Sequence, residues 1–237
     1  MASYKGTISE IIQETPFIKI FRIELAEGIF QYKSGQFVML SIDGVNNEKG
    51  LIVKRSYSVA SSSLNKDYLE LCIAIKPDGK FTPVLNAIKV GDKINVDGPF
   101  GVFNLKEHDK GKIYFIATGA GIAPLISMIR TLIGNKFAHE MILLYGFRNP
   151  EDYCYKKELT GYTSKKNFKI YPTISAKEIP SSWKLDTGRV TTIIGKYLKA
   201  EETEVVYICG NPDMVKDTVS ILKELKIEDS KIIKEQW

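Results

Sequence analysis

Four consecutive residues, Arg55-Ser56-Tyr57-Ser58, alternate a permanently charged fork and a flat ring with two hydroxyls. On a strand, period-2 alternation puts Arg55 and Tyr57 on one face and Ser56 and Ser58 on the other. A guanidinium suits bidentate contact with phosphate, and a tyrosine ring stacks on an aromatic ligand. A surface strand with a cross-strand arginine has the same composition. Further on, Thr118-Gly119-Ala120-Gly121-Ile122-Ala123-Pro124 reads as a strand, a glycine-bearing turn and a helix start. Backbone approaches a diphosphate only where side chains are absent, and a helix N-terminus favours an anion. Glycines kept for steric reasons alone look the same. Pro124 suits a first helical turn. Tyr207-Ile208-Cys209-Gly210-Asn211-Pro212 ends one more strand. A cysteine at that end of a doubly wound sheet points into the ligand crevice, or else is a small buried hydrophobe.

Other chemistries find no footing. His108 and His139 have no metal-ligand spacing, and no Gly-x-Ser-x-Gly elbow or Gly-Lys-Ser/Thr phosphate loop occurs. Cys72, Cys154 and Cys209 form no Cys-x-x-Cys pair. No zinc site, iron–sulfur cluster or disulfide framework is therefore expected, and redox chemistry has to come from a bound cofactor. Lys and Arg total 33 against 28 Asp and Glu, a net charge of +5 spread along 237 residues. No basic stripe supports nucleic-acid binding. At 44% apolar and 26% charged, the composition excludes disorder, collagen and coiled coil. Residues 1–10 lack a signal-peptide layout. The longest uncharged run, 113–129, is too short and too glycine-broken to span a membrane. A cytoplasmic protein with no membrane partner is expected.

The elements that must position these residues fall into two sets. Residues 4–12, 17–24, 37–42, 56–59, 68–75 and 93–96 are short Ile/Val/Phe/Tyr-rich runs divided by turn residues. They predict an antiparallel barrel or sandwich with one short helix over 81–88. After residue 101, strands over 112–118, 140–145, 168–174 and 204–209 alternate with helices over 124–133, 151–160, 190–198 and 212–225, and 232–237 adds a last strand. That alternation predicts a doubly wound parallel sheet with ligands at the carboxyl ends of its strands. The charged linker 105–110 divides the chain into domains 1–105 and 106–237.

Taken together, these segments resemble the ferredoxin–NADP⁺ reductase family across nearly the whole chain. The flavin motif Arg-x-Tyr-Ser is met by Arg55, Tyr57 and Ser58, and a phosphate turn by Gly79-Lys80-Phe81-Thr82. The Gly-Pro-x-Gly joint is similar to residues 98–101, the nicotinamide-nucleotide turn to Gly119–Pro124, and Cys-Gly-x-Pro to Cys209, Gly210 and Pro212. The resemblance implies an N-terminal FAD barrel and a C-terminal NAD(P) domain. Arg55 would hold the flavin diphosphate, Tyr57 would stack on the isoalloxazine and Ser58 would bond near N5. Thr82 and neighbouring amides would complete the phosphate site. Cys209 would sit beside the nicotinamide, and Trp237 would cover the flavin's other face as a displaceable lid. Arg148, Ser175, Lys177 and Arg189 would meet a 2′-phosphate, although Ala176 stands where the family's NADP-dependent members place an arginine. NADP(H) is therefore expected, with NAD(H) the alternative. The expected partner is a ferredoxin or flavodoxin. The alternatives are a flavin reductase or oxygenase reductase component, and a non-catalytic FAD-binding subunit.

Overall fold

The computed structural model describes residues 2–26, 30–108 and 110–236. Residues 1–105 with 126–135 form one unit, and residues 106–125 with 136–237 form the other.

The first unit is built on β1 (Ala2–Thr15), β2 (Ile18–Leu25), β3 (Phe37–Ser41), β4 (Arg55–Ser58), β5 (Leu69–Ala74) and β6 (Lys93–Phe100), with one short helix, α1 (Thr82–Ala87). The strands pair antiparallel in the order β4-β3-β6-β1-β2-β5. A bridge between Val59 and Leu71 joins the two ends of that order and closes the sheet into a barrel. Closure removes the open edges a six-stranded sheet would otherwise expose. Alternate side chains, among them Ile8, Phe21, Val38, Leu40, Leu71 and Val96, fill the interior. Opposite-facing Glu70 is 1% exposed. It accepts from Arg22 Nε at 3.1 Å and from Arg130 Nη1 at 2.6 Å. Two guanidinium groups thus compensate a carboxylate whose lone burial would be prohibitive.

The second unit carries β7 (Lys112–Thr118), β8 (Met141–Phe147), β9 (Phe168–Ile174), β10 (Asp186–Thr187), β11 (Thr203–Gly210) and β12 (Ile232–Gln236). All pairs are parallel, in the order β10-β9-β8-β7-β11-β12. The helices are α2 (Ile122–Gly134), α3 (Lys156–Tyr162), α4 (Val190–Tyr197) and α5 (Pro212–Glu224); α2 begins in this unit and continues in residues grouped with the first. β8 is buried at every position, as expected where helices cover both faces of a parallel sheet. From β7 the chain builds outward through β8, β9 and β10, then returns to β7's other side for β11 and β12. The topological switch point therefore lies between the carboxyl ends of β7 and β11.

The helix expected over 151–160 is corrected. Pro150–Asp152 is a separate 3-10 turn, closed by a capping box between Asn149 and Asp152. Tyr155 adopts a left-handed φ of 57°, so α3 starts only after it. The strand expected to stop at residue 96 runs through Phe100 as β6. Among the described residues, no helix is long and apolar enough to cross a membrane.

Candidate functional site

In the first unit, Tyr57 and Arg55 lie across from Val38 and Leu40 in the β3–β4 register, with Ser58 opposite Phe37 and Ser56 opposite Met39. The expected two-faced strand is present. Tyr57 packs half-buried at the margin of the barrel core, its ring centroid 6.3 Å from that of Phe81. Burial pushes the Tyr57 phenol up to about 12, with the Arg55 charge working the other way. The ring is thus a neutral, planar surface at ordinary pH. Arg55 is exposed and donates to Lys54 O at 2.8 Å. No carboxylate pairs with it among the described residues.

The Gly79–Thr82 turn reaches the same place through Phe81, which is only 1% exposed and acts as the anchor behind Tyr57. Thr82 Oγ1 accepts from the Lys76 amide at 3.1 Å and donates to Lys76 O at 2.7 Å. Its hydroxyl therefore braces the turn, and Lys80 is tied by an ion pair to Glu48. What the turn has left to offer a ligand is mainly backbone.

In the second unit, the Gly119–Gly121 turn sits at the switch point. Gly119 has φ +52°, a conformation that disfavours a side chain. Gly121 needs the space: a Cβ there would lie 2.5 Å from Cys209 O and 2.7 Å from Gly210 Cα. Gly210, at φ +154°, would likewise drive a Cβ into Thr118. Two strand-end turns thus pack backbone to backbone as a glycine cradle, and beside them Gly119 has nothing within 4 Å of its would-be Cβ. Tyr145 donates from its hydroxyl to Gly119 O at 2.9 Å and steadies the turn from β8. Ile122, Ala123 and Pro124 are buried, so they pack the start of α2 and do not present side chains to a ligand. Cys209 is fully buried against the parallel neighbours Ala117 and Glu235. Trp237 lies outside the described residues.

Three further turns share the carboxyl edge of this sheet. Arg148 follows β8, Ser175 and Lys177 follow β9, and Arg189 follows β10 as the N-cap of α4. Hydrogen bonds lace the turns together. Ser175 donates its amide to Phe147 O at 3.0 Å, and the Gly188 amide donates to Ile174 O at 2.7 Å. Arg148, Lys177 and Arg189 are exposed, and no carboxylate pairs with them among the described residues. Sequence reading missed the aromatic cluster at this edge. Phe147 stacks on Tyr153 at 4.7 Å and meets Trp183 edge-on at 5.9 Å. Tyr145 and Phe147, alternating at a strand's carboxyl end, were the only local signal of it.

Comparison with known proteins agrees with this division of labour. Residues 5–105 match the model of the oxidoreductase FAD-binding domain, and residues 115–220 that of the oxidoreductase NAD-binding domain. The reductase component of propane 2-monooxygenase from Mycolicibacterium smegmatis is 32% identical over 193 residues, which cover 79% of this chain and 54% of that protein. The electron transfer component of anthranilate 1,2-dioxygenase from Acinetobacter baylyi is 27% identical over 232 residues, covering 96% of this chain and 64% of that protein. The chain thus spans less than two thirds of the length of either relative. In fold, it matches a ferredoxin NADP⁺ reductase from Neisseria gonorrhoeae, solved with FAD and NADP, with a TM-score of 0.82 at 24% identity, covering 100% of this chain and 99% of that one. An antiparallel barrel, a doubly wound sheet with a glycine cradle at its switch point, and two family models that together span most of the sequence lead to one assignment: the chain belongs to the ferredoxin–NADP⁺ reductase family of oxidoreductases.

Proposed function

We propose that this chain handles FAD and a nicotinamide nucleotide in an electron-transfer reductase, with residues 1–105 holding the flavin and residues 106–237 the nucleotide. The observation that supports the reading is Gly119 at the switch point, a left-handed backbone position with open space around its would-be Cβ where a diphosphate can approach the main chain, while Gly121 and Gly210 let the two turns behind it pack together. The barrel residues fit a flavin equally well. Arg55 is a guanidinium with no carboxylate partner among the described residues, suited to a diphosphate, and Tyr57 is a neutral ring backed by Phe81, suited to stacking. In this reading Ser58 bonds to the flavin ring, the backbone amides of the Gly79–Thr82 turn line its phosphates, with Lys80 joining them only by leaving Glu48, and Thr82 holds that turn in shape. Bound FAD supplies the exchange between a two-electron hydride and single electrons.

On the nucleotide side, Thr118, Gly119 and Gly210 border the diphosphate, and buried Cys209 forms the wall behind the nicotinamide. The protein contributes approach and orientation. Arg148, Lys177 and Arg189, with the Ser175 hydroxyl, favour NADP(H), since a 2′-phosphate is recognised by cations and hydroxyls where a bare ribose usually meets a carboxylate. The electrons pass to a ferredoxin or flavodoxin. A second reading, delivery to an oxygenase, is favoured by the names of several relatives, which are reductase components of propane and phenol monooxygenases.

The test loads the purified chain with FAD and measures NADPH-dependent reduction of a one-electron acceptor protein. Turnover that requires both FAD and nucleotide is expected. One-to-one uptake of FAD without any electron transfer would leave only a flavin-binding role.

A further inference from the structure

Outside both cofactor regions, the second half of α2 carries a polar face. Ser127, Arg130 and Thr131 lie at spacings i, i+3 and i+4 and so share one side of the helix. Ser127 is 0% and Thr131 6% exposed. Ser127 donates to Ser61 O at 2.5 Å, and Arg130 donates to Ala60 O at 2.8 Å besides pairing with Glu70. Thr131 Oγ1 meets Ser34 Oγ at 2.7 Å and Ser62 Oγ at 2.8 Å, and it accepts from the Ser63 amide at 3.2 Å. These partners have a common origin. Residues 60–63 follow directly on β4, the strand of Arg55–Ser58, and Ser34 stands just before β3 opens at Phe37. All of them belong to the first unit, together with residues 126–135 of the helix.

An apolar helix face is held by buried area and tolerates repacking. A hydroxyl is more exacting, because it has one proton to give and two lone pairs to fill, and the groups around Thr131 Oγ1 occupy them. The helix is thereby held in one register against the chain that leaves the flavin strand. Because α2 is continuous, Thr131 stands about 15 Å along its axis from Gly121. We propose that this polar face, with Thr131 at its centre, is a positioning element for hydride transfer: it ties the helix that begins at the nucleotide cradle to the segment that follows Arg55–Ser58. This rests on the two-cofactor reading above. Thr131 acts through the helix, without contact to either cofactor. Misplacing reacting atoms by about 1 Å costs up to roughly 100-fold in rate, whereas the affinity for each cofactor is set by its own strand and turns.

Thr131→Val keeps the side-chain shape and removes the hydroxyl. Single-turnover flavin reduction at saturating NADPH should then fall about 10- to 100-fold. FAD content after gel filtration and NADP⁺ affinity by calorimetry should both stay at wild-type values. Thr131→Ser, which keeps the hydroxyl, should recover most of the rate. Amide hydrogen exchange over residues 126–134 should quicken in the valine variant and not in the serine variant. Ser34→Ala removes the same contact from its other side and serves also where valine prevents folding. It too should slow reduction, and its loss should not multiply with that of Thr131→Val. Wild-type rates in Thr131→Val and Ser34→Ala overturn the positioning role and leave the two-cofactor reading intact. A slowed rate matched by lost FAD or weakened NADP⁺ binding, without recovery in Thr131→Ser, does the same. A wild-type protein that binds FAD and NADPH yet never reduces its flavin, or that binds neither, overturns both.

Discussion

Replacing Gly121 by alanine tests whether the switch-point cradle is set by space. The added Cβ would stand 2.5 Å from Cys209 O, 2.7 Å from Gly210 Cα and 2.8 Å from Cys209 C. Ordinary carbon contacts lie at about 3.5–4.0 Å, so one turn must retreat by roughly 1 Å. All three obstacles are backbone, so no rotamer change relieves the clash. Overpacking of this kind costs about 1–3 kcal/mol. At roughly 2–4 °C per kcal/mol for a chain of this size, the melting temperature should fall by about 2–12 °C. The same displacement opens the cradle, and NADPH affinity should fall about tenfold or more. Gly195 in α4 is the control, because nothing lies within 4 Å of its would-be Cβ. Alanine there should stabilise by about 0.4–1 kcal/mol, through the reduced freedom of the unfolded chain. Thermal unfolding followed by circular dichroism and an NADPH titration read both effects. Wild-type melting and wild-type affinity in Gly121→Ala would refute the steric argument.

Arg55→Ala and Tyr57→Ala should each weaken flavin retention, scored as FAD per protein after gel filtration; full occupancy in both would remove the barrel site. Glu70→Gln should destabilise the first unit by about 3 kcal/mol in urea unfolding, because it leaves the largely buried Arg130 facing a neutral amide. A change under about 1 kcal/mol would show that the two guanidinium groups are satisfied without it. At Asp186, burial pulls the carboxyl upward, but Lys196 and Tyr197 together hold it below its ordinary value. Its stabilising contribution is therefore complete above about pH 4, the unfolded value, and is lost as pH falls through the lower folded value. Asp186→Asn should flatten the acid limb of the stability–pH curve below about pH 4, and an unchanged limb would assign the acid sensitivity elsewhere.

What could be read from sequence was whatever shows within a few residues. The runs 112–118 and 168–174 correspond to β7 and β9 residue for residue, since continuous apolar segments have one place to go in a parallel sheet. The Arg55–Ser58 and Gly119–Gly121 segments also carry their geometry locally, as alternation in one case and missing side chains in the other. Partners remote in sequence were not legible. Arg130 lies 60 residues from Glu70 along the chain, and neither neighbourhood encodes the pair. Trp183 is held by Phe147, 36 residues away along the chain, as well as by nearby Asp186, and nothing in its own segment signals the distant contact. The Thr82 hydroxyl engages both backbone groups of Lys76, a turn closure its residue type alone does not reveal. The break before α3 depends on a single left-handed residue, Tyr155, which no propensity marks.

The central claim is most directly tested by anaerobic stopped-flow mixing of the FAD-loaded chain with NADPH or NADH, followed at the visible flavin band. The account predicts single-turnover bleaching by both nucleotides, faster and at lower concentration with NADPH. Absence of bleaching with either nucleotide, despite bound FAD, would contradict it.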